Sequence, residues 1–184
     1  MRWRANDMPL AAAPETFEIL IAEDEEDTRE LLAEFCRSQG LQVATAADGR
    51  AAITALERDP KQFGAVLTDV AMPGADGFQV LQAARAGNPT IPVVIVTGYA
   101  TLDSALRAVR AGAYDYLPKP FALGQLEVII TRIRERRLLE RENQLLARQM
   151  SEMGARGAGG EADVGWRLAA IEERLARIED LLRR

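Results

Sequence analysis

Glu23, Asp24, Asp69, Thr97 and Lys119 are residues whose types could act together on one substrate. The first three are carboxylates, the fourth is a hydroxyl donor and the last is a positive point charge. Carboxylates crowded together repel one another unless a cation lies between them. A set of hard oxygen donors without His or Cys favours Mg2+, which also keeps several waters. Carboxylate, Mg2+, ammonium and hydroxyl together describe a pocket that stabilises a phosphoryl group developing on an aspartate oxygen. The chain contains no histidine. That removes His-based general base catalysis, Ser/His and Cys/His nucleophile pairs, most zinc sites and phosphohistidine chemistry.

Taken singly, each of these residues has an ordinary reading. Asp69 is equally a turn residue before Pro73 and Gly74, and Glu23-Asp24 equally a solvated first turn of a helix. Thr97 alone is a strand-end hydroxyl, Lys119 a surface lysine and Tyr116 a core aromatic. Their joint arrival at the ends of strands is what sets these readings aside, and the elements between them decide it. Phe17–Ala22 is a continuous apolar strand broken by EDEED. The spacing of Leu31, Leu32, Phe35 and Cys36 predicts a helix over 28–38, ended by Gly40. Gln42–Ala46 reads as a strand, and Asp48 as the cap of a helix through Leu56. Strands are expected over 65–68, 92–97 and 114–117, with helices over 78–86 and 102–111 and a long one from about Leu123. Gly77 is read as structural, allowing a turn at positive φ. Unbroken apolar strands alternating with helices imply a doubly wound parallel sheet covered on both faces. Ligands of such sheets sit at the carboxyl ends of the strands, where the polar residues above fall.

ILIAEDEED, LTDVAMPGADG, VIVTGY and YLPKPF, in this order and spacing, resemble the receiver domain of two-component response regulators over about residues 16–123. The resemblance implies a CheY-like, flavodoxin-like fold with five parallel strands in the order 2-1-3-4-5. It implies that Asp69 is the phosphoacceptor, served by a cognate histidine kinase. Glu23, Asp24, Asp69 and the backbone carbonyl of Ala71 would hold Mg2+. Thr97 would be the switch hydroxyl, Tyr116 the switch aromatic and Lys119 the phosphate-contacting lysine, with a cis Lys119–Pro120 bond. Ala71 and Tyr99 occupy positions that tune hydrolysis of the aspartyl phosphate in relatives. Many relatives carry two aspartates where this chain has Glu23-Asp24, so cation affinity is open. Phosphorylation is expected to re-set the surface formed by the fourth helix, last strand and last helix.

Beyond the receiver, Leu126, Ile129, Ile130 and Ile133 should pack the last helix on the sheet. Over 124–150 that helix is expected to continue as a coiled coil, with Leu139, Asn143, Leu146, Met150 and Met153 at 4-3-4-3 spacing. Asn143 reads either as a buried register-fixing residue or as a solvent-facing one. Residues 151–165 are a Gly/Ala-rich linker. The last segment, 166–184, carries Leu168, Ile171, Leu175, Ile178 and Leu182 in a 3-4 repeat. Arg167 and Arg174 face Glu172 and Glu179 when its copies run parallel, which predicts a parallel homo-oligomer, dimer or tetramer. Docking of this helix on its own receiver is the other reading.

Composition bounds the rest. Residues 123–184 carry 12 Lys and Arg against 11 Asp and Glu, leaving 11 against 17 for the remainder. The acidic balance of the globular part argues against its wrapping nucleic acid. Arg132, Arg134, Arg136, Arg137 and Arg141 could touch phosphates, but Glu135, Glu140 and Glu142 interleave with them and favour a solvated, ion-paired face. No apolar run approaches the roughly 20 residues of a membrane span. Residues 1–15 lack the apolar core of a signal peptide and read as a flexible leader. One cysteine, Cys36, excludes an intramolecular disulfide and fits a cytoplasmic protein. The leading expectation is a response regulator, not an enzyme, whose output is self-association and binding of a downstream protein. It would take up a phosphoryl group from small donors and release it slowly. The alternatives are a transcriptional regulator, truncated here or binding DNA through its basic helix, and an aspartyl-phosphate hydrolase. A haloacid-dehalogenase-like hydrolase needs a second aspartate two residues after the first, where this chain has Ala71.

Overall fold

Strands with apolar residues at every position have two faces to bury, and period two decides which residue serves which face. The computed structural model, which describes residues 16–98 and 100–156, divides them in this way. Its elements run β1 (Glu18–Ala22), α1 (Glu26–Ser38), β2 (Gln42–Ala46), α2 (Gly49–Arg58), β3 (Phe63–Asp69), α3 (Gly77–Gly87), β4 (Val93–Thr97), α4 (Leu102–Ala111), β5 (Asp115–Pro118) and α5 (Leu123–Arg156). The five strands form one sheet in the order β2-β1-β3-β4-β5, and every pairing is parallel. The expected fold and strand order are therefore those observed.

Ile19, Ile21, Ala65, Leu67, Val94 and Val96 face one way, against Leu32 and Cys36 of α1 and Leu126, Ile129, Ile130 and Ile133 of α5. Leu20, Ala22, Val66, Val93 and Ile95 face the other way, against Ala52 and Leu56 of α2, Phe78 and Leu81 of α3 and Ala108 of α4. The α5 contacts repeat at i, i+3, i+4 and i+7, the single apolar stripe of a helix lying on a sheet. Local signals agree with these packed faces. Asp48 accepts from the Ala51 amide at 2.7 Å, so it caps α2 as its position predicts. Asp76 with Gln79 and Thr101 with Ser104 form capping boxes at the starts of α3 and α4. Gly112 ends α4 at φ 80°, in the left-handed region that suits glycine.

Several boundaries differ from the sequence expectation. α1 starts at Glu26, so the end of the EDEED run already belongs to the helix, where acidic residues favour the first turn. α5 runs through Arg156, past the expected linker start at Ser151. Glu152, Met153, Ala155 and Arg156 are good helix formers, and together they offset the roughly 1 kcal/mol cost of one internal glycine, Gly154. The chain divides into a unit ending at Arg137 and a second from Leu138. In the second unit the described side chains of α5 are mostly exposed, and they include Leu138, Leu139, Leu145, Leu146 and Met150. Asn143 is exposed as well. The expected leader over 1–15, Tyr99, the linker beyond residue 156 and the helix over 166–184 with Leu168, Ile171, Leu175, Ile178 and Leu182 lie outside the described residues.

Candidate functional site

Parallel register brings the strand ends to one level. Ala22 pairs with Thr68, Asp69 with Val96, and Thr97 with Pro118. Glu23 and Asp24 follow β1, Asp69 closes β3, Thr97 closes β4, and Lys119 follows β5. Carboxylate oxygens of Glu23, Asp24 and Asp69 all lie within 4.8 Å of one another. The sheet thus gathers, from far apart in sequence, the residues whose chemistry opened the sequence reading.

Burial separates the three acids. Glu23 and Asp69 are 1% and 7% exposed, whereas Asp24 faces solvent. Two carboxylates at such a distance repel by on the order of 3 kcal/mol at an effective dielectric of about 20. The Lys119 ammonium resolves that repulsion, donating to Glu23 Oε2 and to Asp69 Oδ2, each at 2.7 Å. Burial raises the Glu23 carboxyl above its ordinary range, and Lys119 holds back part of that rise. For Lys119 itself burial acts downward. The hydrogen bonds and charges of Asp69 and Glu23 together outweigh it and hold the ammonium above the usual lysine value. Three clustered carboxylates of hard oxygen character, with no nitrogen or sulfur ligand among them, fit a divalent cation of the Mg2+ type.

The loops fix these groups from behind. Asp69 Oδ1 accepts from the Ala71 amide at 3.2 Å. The buried Thr68 hydroxyl donates to the Asp69 carbonyl at 3.0 Å. Gly77, the first residue of α3, donates its amide to Val70 O at 3.1 Å. A Cβ on Gly77 would stand 2.1 Å from the Asp69 carbonyl oxygen. Its role is therefore close approach, which corrects the expected turn at positive φ; Gly74 carries the positive φ in this loop, at 78°. Thr97 is 1% exposed, and its carbonyl accepts from the Lys119 amide at 2.8 Å. The Lys119–Pro120 bond is cis, as expected. Tyr116 is half-buried on the α2-α3-α4 side of the sheet, its hydroxyl 2.7 Å from Ser104 Oγ.

Sequence reading missed three of these neighbours. Ser104 was legible only as a helix cap three residues after Thr101. Thr68 read as one more strand residue. Arg29, whose Nη1 donates to the carbonyls of Glu23 and Asp24 at 2.8 and 3.2 Å, carried no signal beyond its charge.

The opposite, amino-terminal end of the sheet is lined differently. Arg134 donates to Gln39 O, Arg136 to Thr90 O at 3.3 Å and Arg137 to Gly64 O at 3.3 Å. Arg132 pairs with Asp115 at 4.0 Å. Arg136 also lies over the Tyr114 ring and Arg137 over that of Phe17, at 5.7 and 5.1 Å from the centroids. Four of the five arginines singled out in the sequence, Arg132, Arg134, Arg136 and Arg137, thus turn back onto the body of the domain. Among the described residues no helix is long and apolar enough to cross a membrane.

The model of the response regulator receiver domain family matches residues 19–131. An NtrX-like response regulator of Rickettsia bellii is 34% identical over 128 residues, which are 68% of this chain and 26% of that protein. The C4-dicarboxylate transport transcriptional regulatory protein DctD of Rhizobium meliloti is 33% identical over 139 residues, 76% of this chain and 29% of that protein. This chain therefore spans between a quarter and a third of the length of these relatives. A solved receiver domain protein from Clostridium thermocellum superposes with a TM-score of 0.63 at 28% identity, covering 67% of this chain and 98% of that one.

Proposed function

The chain belongs to the response regulator receiver domain family, and from that premise we propose that Asp69 accepts a phosphoryl group from a cognate histidine kinase. In that step the phosphorus–nitrogen bond of the kinase phosphohistidine breaks and a bond to an Asp69 carboxylate oxygen forms. The observation that carries this reading is Asp69 at the end of β3, buried, with the Lys119 ammonium 2.7 Å from one of its oxygens. Glu23, Asp24, Asp69 and the carbonyl of Ala71 would hold Mg2+. When bound, that ion supplies charge neutralisation for the transferring oxygens. Lys119, drawn away from Glu23, then follows the new phosphoryl oxygens, and the Thr97 hydroxyl approaches from the neighbouring strand. Tyr116 exchanges its contact with Ser104 for an inward position, which re-sets the surface of α4, β5 and α5. By the same reading, the residue types at positions 71 and 99, alanine and tyrosine, tune the lifetime of the acyl phosphate. The protein turns over no external substrate; it takes up the group and loses it slowly.

Output in this reading is self-association and capture of a downstream protein in the cytoplasm. The exposed Leu139, Leu146 and Met150 on α5 support the first part. Leu168, Ile171, Leu175, Ile178 and Leu182 would extend the association as parallel helices. A second reading, transcriptional regulation, is favoured by the name of the DctD relative. DNA contact through the basic helix is not favoured, because four of its arginines already have partners on the domain. The test is uptake of one phosphoryl mass from acetyl phosphate with Mg2+, reversed by hydroxylamine, which cleaves acyl phosphates. Failure of the wild type to take up the group, or equal uptake by Asp69→Asn, would sink the proposal. Light scattering with beryllofluoride then reads whether occupancy of the site changes the oligomeric state.

A further inference from the structure

β1 leaves the sheet ladder after Ala22, so the carbonyls of Glu23 and Asp24 enter the β1–α1 turn. That turn carries two of the three carboxylates of the site, yet its cap residue, Glu25, makes no side-chain cap hydrogen bond. On one side the turn is held by the Glu23 amide, which donates to Ala46 O of β2 at 3.1 Å. On the other side one atom serves both acidic residues. Arg29 Nη1 lies 2.8 Å from Glu23 O and 3.2 Å from Asp24 O. Arg29 sits half-buried in the first turns of α1, within reach of the turn it closes. The consequence differs for the two acids. Glu23 is buried and bound by Lys119, so its carboxylate has a second restraint. Asp24 is exposed, and its carboxylate points where its backbone sends it.

We infer that Arg29 is a positioning residue for the cation site, fixing the backbone of Glu23 and Asp24 so that both carboxylates converge with Asp69. This rests on the reading of that site as one for Mg2+. Two physical effects of Arg29 have opposite signs, which makes the inference testable. Its positive charge stands beside the acidic cluster and opposes a dication. Its hydrogen bonds order the ligands and favour one. Residues that orient metal ligands are typically worth 10- to 100-fold in affinity, whereas the charge of a half-exposed arginine is screened by solvent. Positioning should win.

The experiment is a Mg2+ titration of the full chain by calorimetry, for wild type, Arg29→Met and Arg29→Lys. Methionine keeps an apolar stem and removes both charge and donors; lysine keeps the charge and one reachable donor. The expected result is a dissociation constant about tenfold higher for Arg29→Met, with Arg29→Lys between it and wild type. Unchanged or tighter binding by Arg29→Met overturns the inference, since charge alone would then govern the site. If Arg29→Met does not fold, as read by circular dichroism without metal, Arg29→Lys carries the test, and wild-type affinity in that variant overturns the inference. A wild type that takes up no Mg2+ overturns the Mg2+ reading itself and this inference with it. A wild type that binds normally beside an unaffected Arg29→Met overturns this inference alone.

Discussion

The two ends of the sheet solve opposite electrostatic problems. At the carboxyl end three acids gather around one lysine, and a single ammonium that touches two of them offsets only part of their charge. At the amino end the arginines of α5 find neutral carbonyls of three separate segments, at Gln39, Gly64 and Thr90, and one partly exposed acid, Asp115. The first arrangement is concentrated, so changing one residue alters everything in contact with it. The second is distributed, and water can replace any one of its bonds. Concentration suits a site that must respond to a new charge. Distribution suits an anchor.

This contrast can be broken most forcefully at the acidic end. Asp69→Asn should abolish phosphoryl uptake from acetyl phosphate, read by intact mass, while leaving the fold in place by circular dichroism. Next in size is Gly77→Ala. A methyl group there meets a backbone oxygen, so α3 or the end of β3 must shift. Strain of this kind costs about 1–3 kcal/mol, read as a lower midpoint of urea unfolding. Lys119→Met should destabilise the metal-free protein by about 2 kcal/mol, below the 3–5 kcal/mol of a broken fully buried pair because Lys119 is partly exposed. Millimolar Mg2+ should recover most of that loss, and a loss indifferent to Mg2+ would argue against carboxylate repulsion as its cause.

The amino end should answer more softly. Arg134→Ala, Arg136→Ala and Arg137→Ala are each expected to cost about 1 kcal/mol or less, and none should alter phosphoryl uptake. A single one of these changes that abolished uptake would erase the proposed contrast. The smallest effect belongs to Cys36. Burial pushes its thiol up to about 12 from 9.0, so native protein at pH 8 should resist iodoacetamide until denaturant is added. The sign follows from the raised value. Folding holds the proton more tightly, so this group's contribution is intact below about pH 9 and declines as pH rises toward 12.

The carboxyl-end site was legible in sequence because its chemistry sits in side chains at the ends of apolar runs. Asp69 after Val66 and Leu67, and Thr97 after Val96, announce themselves once the sheet is read as parallel. Partnerships with main chain were not legible. Arg29 and the arginines of α5 bind carbonyl oxygens, which every residue has, so no residue type marks the partner. Gly77 was flagged as structural for the wrong reason. Its constraint is distance to Asp69 O across a loop, a quantity that spacing does not encode. The end of α5 was misplaced because glycine density near residue 157 read as a break that begins at Ser151, while the intervening residues favour helix.

α5 keeps one backbone rule from Leu123 to Arg156, yet its apolar residues change employment along it. Ile133 is the last that is buried in the domain, and from Leu138 to Met150 the large apolar residues of the helix are exposed. The junction after Arg137, beyond the last arginine that binds the domain, is where a protein engineer would cut. A different output helix could be spliced on at that point without altering the domain's core. Only phase must be kept: each residue inserted or deleted turns everything downstream by about 100° around the helix axis. A series of one- to four-residue insertions would therefore step the exposed leucines around the axis of their own helix.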